Sequence, residues 1–422
     1  MRKIIIIFLI FTSCINPYNF HQDDAPAYIV VEGYVSNNIG DSEICLSRSG
    51  TFQDKDFDCV PDAEVMVIEN EEVEHLYAHQ DNGVYKPLEE NFFARKENSY
   101  RMRIELEGQI YESDPVKLEN SLEIEDLSFK SASFDQSGNL VEHPRLMLHL
   151  TSGIDENASQ YYLFTLEETW LARAIFPRQN EIKPIFTYDE NNVPVYIEFE
   201  SKPLENVAYC WPTNKAVGIN TRTTEGLSRN QLVDVPVFSV SLESDKLLYK
   251  YSALVNQYAI SQEAHHFFSM LKEFSQNTGI LYDIQPGYIS GNIHNKSNPE
   301  DQIIGIFYAA SHTSSRIFIS NDDLSAWEQA VVARYWPKCI YEYYTLPLIS
   351  PDSLPDESLT YGLLYLRDSL LWGQGLMIRS KENRLPAMSD DSVIVLDLTK
   401  IHCMDCRVYG SNIKPDWWGS IE

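Results

Sequence analysis

Positive charge is scarce in this chain: 33 Lys and Arg stand against 62 Asp and Glu in 422 residues, a formal net charge of −29. Such an excess repels phosphate backbones and anionic lipid headgroups, which argues against a nucleic-acid or polybasic membrane-surface role and for solubility. Catalytic signatures are missing too: there is no G-x-S-x-G elbow, no Walker A loop, no H-E-x-x-H and no strand-linked G-x-G-x-x-G. After the first dozen residues no window approaches the roughly 20 apolar residues that a membrane-spanning helix needs. What the chain has in quantity is aromatic residues, 12% of the total with 25 Tyr and 7 Trp, a composition suited to half-buried pleated sheets. An aromatic carbohydrate-stacking groove would draw on the same residue types.

The N-terminal run MRKIIIIFLIFTSC places Arg2 and Lys3 before an apolar stretch from Ile4 to Phe11, then Thr12 and Ser13 before Cys14. That is the layout of an export signal too short to span a bilayer as a mature helix. It also resembles a bacterial lipoprotein signal, with residues 1–13 removed and Cys14 lipidated as the first mature residue; Phe11 stands where Leu is commoner. Ordinary signal cleavage, with Cys14 there by coincidence, is the alternative. Residues 14–26, with two prolines and the pair Asp23 and Asp24, then read as a tether.

A length of 422 residues predicts two or three domains. From 27 to 118 short alternating runs follow one another between turn residues. In SYRMRIEL, Tyr100, Met102, Ile104 and Leu106 share one face and Arg101, Arg103 and Glu105 the other, the period of two of a strand packed on one side. Asn82-Gly83 is a two-residue hairpin signal. Six such strands predict an immunoglobulin-like β-sandwich. Asp54, Asp56 and Asp58 have the spacing that opens a calcium loop, but the glycine at its sixth position and the glutamate at its twelfth are absent, so an acidic solvated loop is the better reading.

The remainder, 119–422, predicts a larger β-rich domain with one or two packed helices. Leu146, Leu148 and Leu150 alternate in PRLMLHL, and QYYLFTLEETW continues the strand pattern. Glu167 and Glu168 invite a glycosidase hypothesis, which needs two carboxylates about 5 to 9 Å apart across a sugar bond. Consecutive strand residues point to opposite faces, which spoils that arrangement. Residues 176–206, with an Asp189-Glu190-Asn191-Asn192 tip, predict a projecting hairpin, a candidate partner contact. The stretch Leu248 to His294 carries the densest signal. Ser261 offers a helix N-cap, Phe267, Leu271 and Phe274 form an apolar stripe with Phe268 beside it, and Asn277-Thr278-Gly279 predicts the stop. His265 and His266 are neighbours on that helix, project about 100° apart and cannot chelate one metal as an i, i+4 pair could. Gly291 and Gly305 mark bulges or close backbone approach.

Cysteine offers the only constellation. In an exported protein Cys45 and Cys59 could bridge a loop of about 15 residues, contributing about 3 kcal/mol if unstrained. Cys210, Cys339, Cys403 and Cys406 read first as structural disulfides, and four cysteines allow three pairings among which sequence does not choose. Zinc and redox readings of Cys403-x-x-Cys406 are the alternatives; the first lacks a second short-spaced pair and the second lacks a following helix in an α/β unit.

Taken together, the Cys14 signal, IVVEGYVS, YYLFTLEETW, YSALVNQYAISQEAHHFF, GILYDIQPGYISGNIH, RIFIS and the terminal CMDCRVYGSNIKPDWW resemble the DUF4249 lipoproteins of Bacteroidota, over nearly the whole mature chain and in the family's order. The family ending is usually of a Pro-Asp-Phe-Trp type; here Pro415-Asp416-Trp417-Trp418 keeps an aromatic in place. The resemblance supplies no catalytic residues. It implies an outer-membrane lipoprotein often encoded beside a SusC-like TonB-dependent receptor, without a SusD-like helical lid. The resulting expectation is a non-enzymatic, lipid-anchored accessory protein of such a receptor, in the outer membrane, with no cofactor, no metal and an unnamed ligand. A surface adhesin or structural envelope lipoprotein is the second reading, and a hydrolase with an unrecognised site the third.

Overall fold

The computed structural model describes residues 28–49, 58–134, 140–276, 289, 291–339, 341–347, 363–367, 376–384 and 393–420. The signal, Cys14 and the tether lie outside the described residues, as do Asp54, Asp56 and Asn277 to Gly279. The fold is mainly β, with one 14-stranded sheet, several small sheets and few helices. Among the described residues no helix is long and apolar enough to cross a membrane.

One strand serves both halves of the large sheet. Ile303–Ser320 runs for 18 residues. Its first half pairs in parallel with Ile29–Ser36, from Ile29 opposite Ile303 to Ser36 opposite Ala310. Its second half pairs antiparallel with Lys250–Ala259, from Ala259 opposite Ser311 to Lys250 opposite Ser320. Strands from both sides of the expected boundary at 118 thus share one continuous sheet.

The N-terminal half is a run of antiparallel strands whose alternation is the one the sequence predicts. Tyr100, Met102, Ile104 and Leu106 are buried and the residues between them are not. Asn82 and Gly83 both take positive φ, 52° and 75°, at the predicted hairpin. This half closes around its own core with help from far downstream. Ile293–Asn295 pairs with Gln109–Ser113, and the buried Asn292 clamps the shared strand, donating to Phe307 O (2.7 Å) and accepting from Phe307 N (2.9 Å). Ile293, Ile303 and Phe307 accordingly belong to the same core as Val31, Ile44 and Met102. Two glycines permit the closure by backbone contact: a Cβ on Gly305, at φ +150°, would lie 1.9 Å from Val31 O, and one on Gly291 would lie 1.5 Å from Gly305 O.

In the second half, Tyr161–Trp170, Lys250–Ala259 and the end of the shared strand lie side by side. A three-stranded sheet of Ile124–Phe134, Leu140–Ser152 and Val235–Ser241 covers one face, where Leu146, Leu148 and Leu150 meet Phe164, Leu166, Val255 and Ile319. Helix Gln262–Gln276 covers part of the other. Ser261 Oγ accepts from Ala264 N (3.2 Å) as its cap, and Phe267, Phe268 and Leu271 pack on Leu163, Tyr258, Ile306 and Tyr308. Each buried Phe contributes about 1.5–3 kcal/mol, enough to hold the helix in place.

The C-terminal region is a clasp. The predicted hairpin forms from Asn180–Tyr188 and Pro194–Pro203 and lays Ile182, Phe186, Ile197 and Phe199 on Leu363, Leu366, Ile378, Leu396 and Leu398. Disulfides Cys210–Cys406 and Cys339–Cys403, with Cα separations of 5.5 and 5.7 Å, select one of the three possible pairings. Trp211 and Trp418 pack beside them with Leu171. The Cys45–Cys59 bridge is not formed. Cys59 stands opposite Ser47 in the pairing of their strands, two residues along from Cys45. Such diagonal neighbours are about 7–8 Å apart, beyond the usual disulfide span.

Candidate functional site

The helix-bearing face of the large sheet is not fully covered. Beside helix Gln262–Gln276 a cleft of about 400 Å³ opens over the line where the two halves join. Its floor is dictated by register. Tyr34 lies opposite both Glu43 and Tyr308, Glu32 lies opposite Cys45 and Ile306, and Tyr258 lies opposite His312. Alternation then sends Glu32 and Tyr34 to this face while Val31 and Val35 point into the N-terminal core.

The rings back one another. Tyr34 stacks on Tyr308 (centroids 5.5 Å, 21° between planes) and meets Tyr258 edge-on at 5.8 Å, Tyr258 stacks on His312 at 4.7 Å, and Phe268 of the helix closes on Tyr308 at 5.4 Å. Tyr308 is 4% exposed and Tyr258 8%, so their ring faces are occupied by other rings. Burial pushes the hydroxyls of Tyr34, Tyr258 and Tyr308 far above the usual phenol range, and they remain protonated at neutral pH.

Polar groups form a line across the rings. Tyr34 OH donates to Asp41 Oδ1 (3.2 Å), His312 Nδ1 lies 3.2 Å from Asp41 Oδ2, and His312 Nε2 lies 3.0 Å from Asn256 Oδ1, whose amide donates to Thr165 Oγ1 (3.2 Å). An amide oxygen only accepts, so Nε2 carries a proton. When the ring is neutral, Nδ1 accepts from Asn38 Nδ2 at 2.7 Å; when it is protonated, Nδ1 pairs with Asp41. Burial opposes ionisation of Asp41, but hydrogen bonds from His312 and Ser36 prevail and hold its carboxyl below the usual range.

Four carboxylates, from Glu32, Asp41, Glu43 and Glu167, line the cleft against two lysines, Lys86 and Lys215. Glu43 pairs with Lys86 (2.9 Å), Asp41 faces His312, and Glu167 lies 3.9 Å from Arg316. Among the described residues Glu32 has no ion pair or hydrogen bond, although protein packed around the cleft floor and the adjacent Glu43 push its carboxyl upward while it still reaches solvent at the mouth. The Tyr308 hydroxyl also makes no hydrogen bond among the described residues, although it faces Glu32, Glu43 and Asp41. The Asp41–His312 pair has the look of the rear of a catalytic triad, yet His312 Nε2 is engaged by Asn256, and the Thr165 hydroxyl is reached only through that amide.

Residues singled out from sequence fall as follows. Glu167 and Glu168 do point to opposite faces: Glu167 lines this cleft, and Glu168, 4% exposed, lines a second depression, where Tyr251 OH (2.7 Å) and Lys246 Nζ (2.5 Å) donate to it. His265 is half-buried against Tyr161 (5.1 Å), while His266 is exposed. Burial lowers the His265 pKa, with the neighbouring Glu225 charge opposing and His266 adding to the effect. Asp58 is exposed at the start of its short strand. Cys403 and Cys406 belong to different disulfides, so they form neither a redox pair nor a zinc knuckle. His402 lies with Cys339 and Cys403 in the one group of metal-capable atoms among the described residues, but both sulfurs there are bonded to each other. Sequence reading missed Glu32, Tyr34, Asp41, Tyr258, Tyr308 and His312. Their one local signal is a charged residue inside the apolar run of IVVEGYVS.

Fold and cleft together define a mainly β protein with a ring-backed acidic cleft on a sheet that two chain segments share. The chain belongs to the DUF4249 family, described as a domain of unknown function (DUF4249), which matches residues 15–316. That span contains every cleft residue and ends inside the shared strand, short of Cys339, Cys403 and Cys406. No curated protein and no solved structure matches the chain.

Proposed function

We propose that this protein is a lipid-anchored accessory subunit of a SusC-like TonB-dependent receptor in the outer membrane of a member of the Bacteroidota, and that it captures a small ligand in the Glu32–Tyr308 cleft without transforming it. The observation that carries this reading is the cleft itself: about 400 Å³, lined by polar groups with open valences, built on the centre of the sheet. Cys14 behind the Ile4–Phe11 run supports the anchor. The hairpin around Asp189 supports a partner contact, because Ile185 and Tyr188 are each 42% exposed on it.

Affinity isolation of the tagged protein from membranes in mild detergent tests the reading. A large β-barrel receptor enriched with it, and lost on Ile185→Asp with Tyr188→Asp, is the expected result. Isolation of the protein alone, at the cell surface and with no barrel enriched, would shift the reading to an adhesin or structural envelope lipoprotein. Turnover of a glycan or peptide panel, abolished by one carboxylate substitution, would establish a hydrolase instead.

A further inference from the structure

We infer that the cleft takes a small organic cation carrying N–H donors, an ammonium or guanidinium group on a short body, with the cation on Glu32 and a hydrogen bond to the Tyr308 hydroxyl. This deepens the capture reading by naming a ligand class, and it depends on the cleft alone, not on any receptor. The first observation is charge: Glu43 pairs with Lys86, Asp41 lies against the His312 ring and Glu167 lies near Arg316, while Glu32 makes no ion pair among the described residues. A carboxylate on a concave floor beside a second carboxylate feels that neighbour's charge, and an incoming cation relieves the repulsion. The second observation is independent of charge. Tyr308 is buried at 4% exposure, and its hydroxyl lines the cleft without a hydrogen bond. A hydroxyl left without a partner at the wall of a cleft is an opening for a ligand atom.

Other ligand classes fit less well. A metal ion needs several ligand atoms around one point, and no three metal-capable atoms of the cleft lie within 4.8 Å of one another, the spacing found among the described residues only at Cys339, His402 and Cys403. A sugar would want an open ring to stack on, and Tyr308 and Tyr258 are capped by Phe268, Tyr34 and His312. Anions meet four carboxylates against only two lysines, one of them already paired with Glu43. A compact amine with a few carbons has the right charge and size, and Leu163 and Leu254 give its carbons an apolar wall.

Isothermal titration of the purified full chain with agmatine, putrescine and phenethylamine, against glucose, acetate and Ca²⁺, tests the inference. Saturable one-to-one binding of at least one amine, about 10-fold or more tighter than any of the other three solutes, is expected, as a charge-assisted hydrogen bond supplies. Glu32→Gln should weaken that binding about 10-fold, and Tyr308→Phe about 3- to 10-fold. Ala216→Trp, which narrows the cleft from its wall and leaves Glu32 in place, should abolish it, while Glu74→Gln on an exposed strand position elsewhere should not change it. The inference is overturned if no amine saturates, if glucose or Ca²⁺ binds as tightly, or if Glu32→Gln binds like the parent. Should Glu32→Gln fail to fold by circular dichroism, Tyr308→Phe and Ala216→Trp decide. A receptor absent from the affinity isolation would leave these titrations unchanged, so the two readings fail separately.

Discussion

The clasp and the cleft handle charge in opposite ways. In the clasp Asp405 is 3% exposed and fully answered: Arg178 donates to its Oδ2 (2.7 Å), and Arg407 donates to Oδ1 (2.9 Å) and Oδ2 (2.6 Å). Burial alone would raise its pKa, yet those bonds hold it at about 2. Disulfides then flank the ion cluster on both sides of the sequence, at Cys403 and Cys406. In the cleft the Glu32 carboxyl is pushed upward and no ion pair or hydrogen bond answers it among the described residues. A region whose charges are matched internally is built to stay shut, while one that leaves a carboxylate and a tyrosine hydroxyl open is built to receive something.

Breaking the clasp should give the largest effects. Cys210–Cys406 closes a loop with a sequence separation of 196. Replacing both residues by Ser should lower stability by about 4–5 kcal/mol on the chain-entropy account. Denaturant midpoints under non-reducing conditions measure this, and a loss below 1 kcal/mol would show that the clasp is held by packing of Trp211 and Trp418 instead. Next, Asp405→Ala leaves Arg178, whose side chain is 6% exposed, buried without its counter-ion. The expected loss is about 3–5 kcal/mol, the usual cost of a broken buried pair.

The same carboxylate sets a pH window. Its folded pKa of about 2 lies below the unfolded value near 4, so its contribution is complete above the unfolded value and disappears as pH falls through the folded one. The gap in melting temperature between the parent and Asp405→Asn should therefore be widest at pH 5 and above and shrink towards pH 2. A gap that stays constant over that range would remove Asp405 from the acid response.

Much of the fold was legible because periodicity reports on one element at a time. Tyr100 to Leu106, Leu146 to Leu150, the Ser261-capped helix, the Asn82-Gly83 turn and the hairpin around Asp189 each announce themselves within ten or twenty residues. The parity argument separating Glu167 from Glu168 also needed nothing but the strand. Pairing between distant strands leaves no such trace. Nothing local says that QIIGIFYAAS and RIFIS lie in one strand with a different neighbour along each half, because His312 to Ser315 between them are polar. The cleft depends on that fact: Tyr34 meets Tyr308, and Tyr258 meets His312, only through the shared strand. The Cys45–Cys59 expectation failed for a related reason, since spacing fixes the size of a loop while register fixes which side chains meet.

The smallest expected effect separates the two regions most cleanly. If Glu32 is unanswered, removing its charge should cost the fold nothing, in contrast to Asp405. Glu32→Gln keeps the shape of the side chain and ends the repulsion with Glu43, so its melting temperature at pH 7 should equal or slightly exceed that of the parent. The groups facing it are Glu43, Asp41, Lys86, Tyr34, Tyr308 and Cys45, and none changes in the variant. The sign follows from the direction of the shift. A carboxyl whose folded pKa is raised favours the folded state fully below the unfolded value, and that advantage is lost as pH rises through the folded value. The difference between variant and parent should therefore be least favourable to the variant near pH 4 and turn in its favour towards pH 7. A variant that is instead markedly less stable at pH 7 would mean that Glu32 has a partner in the fold, and the cleft would then resemble the clasp.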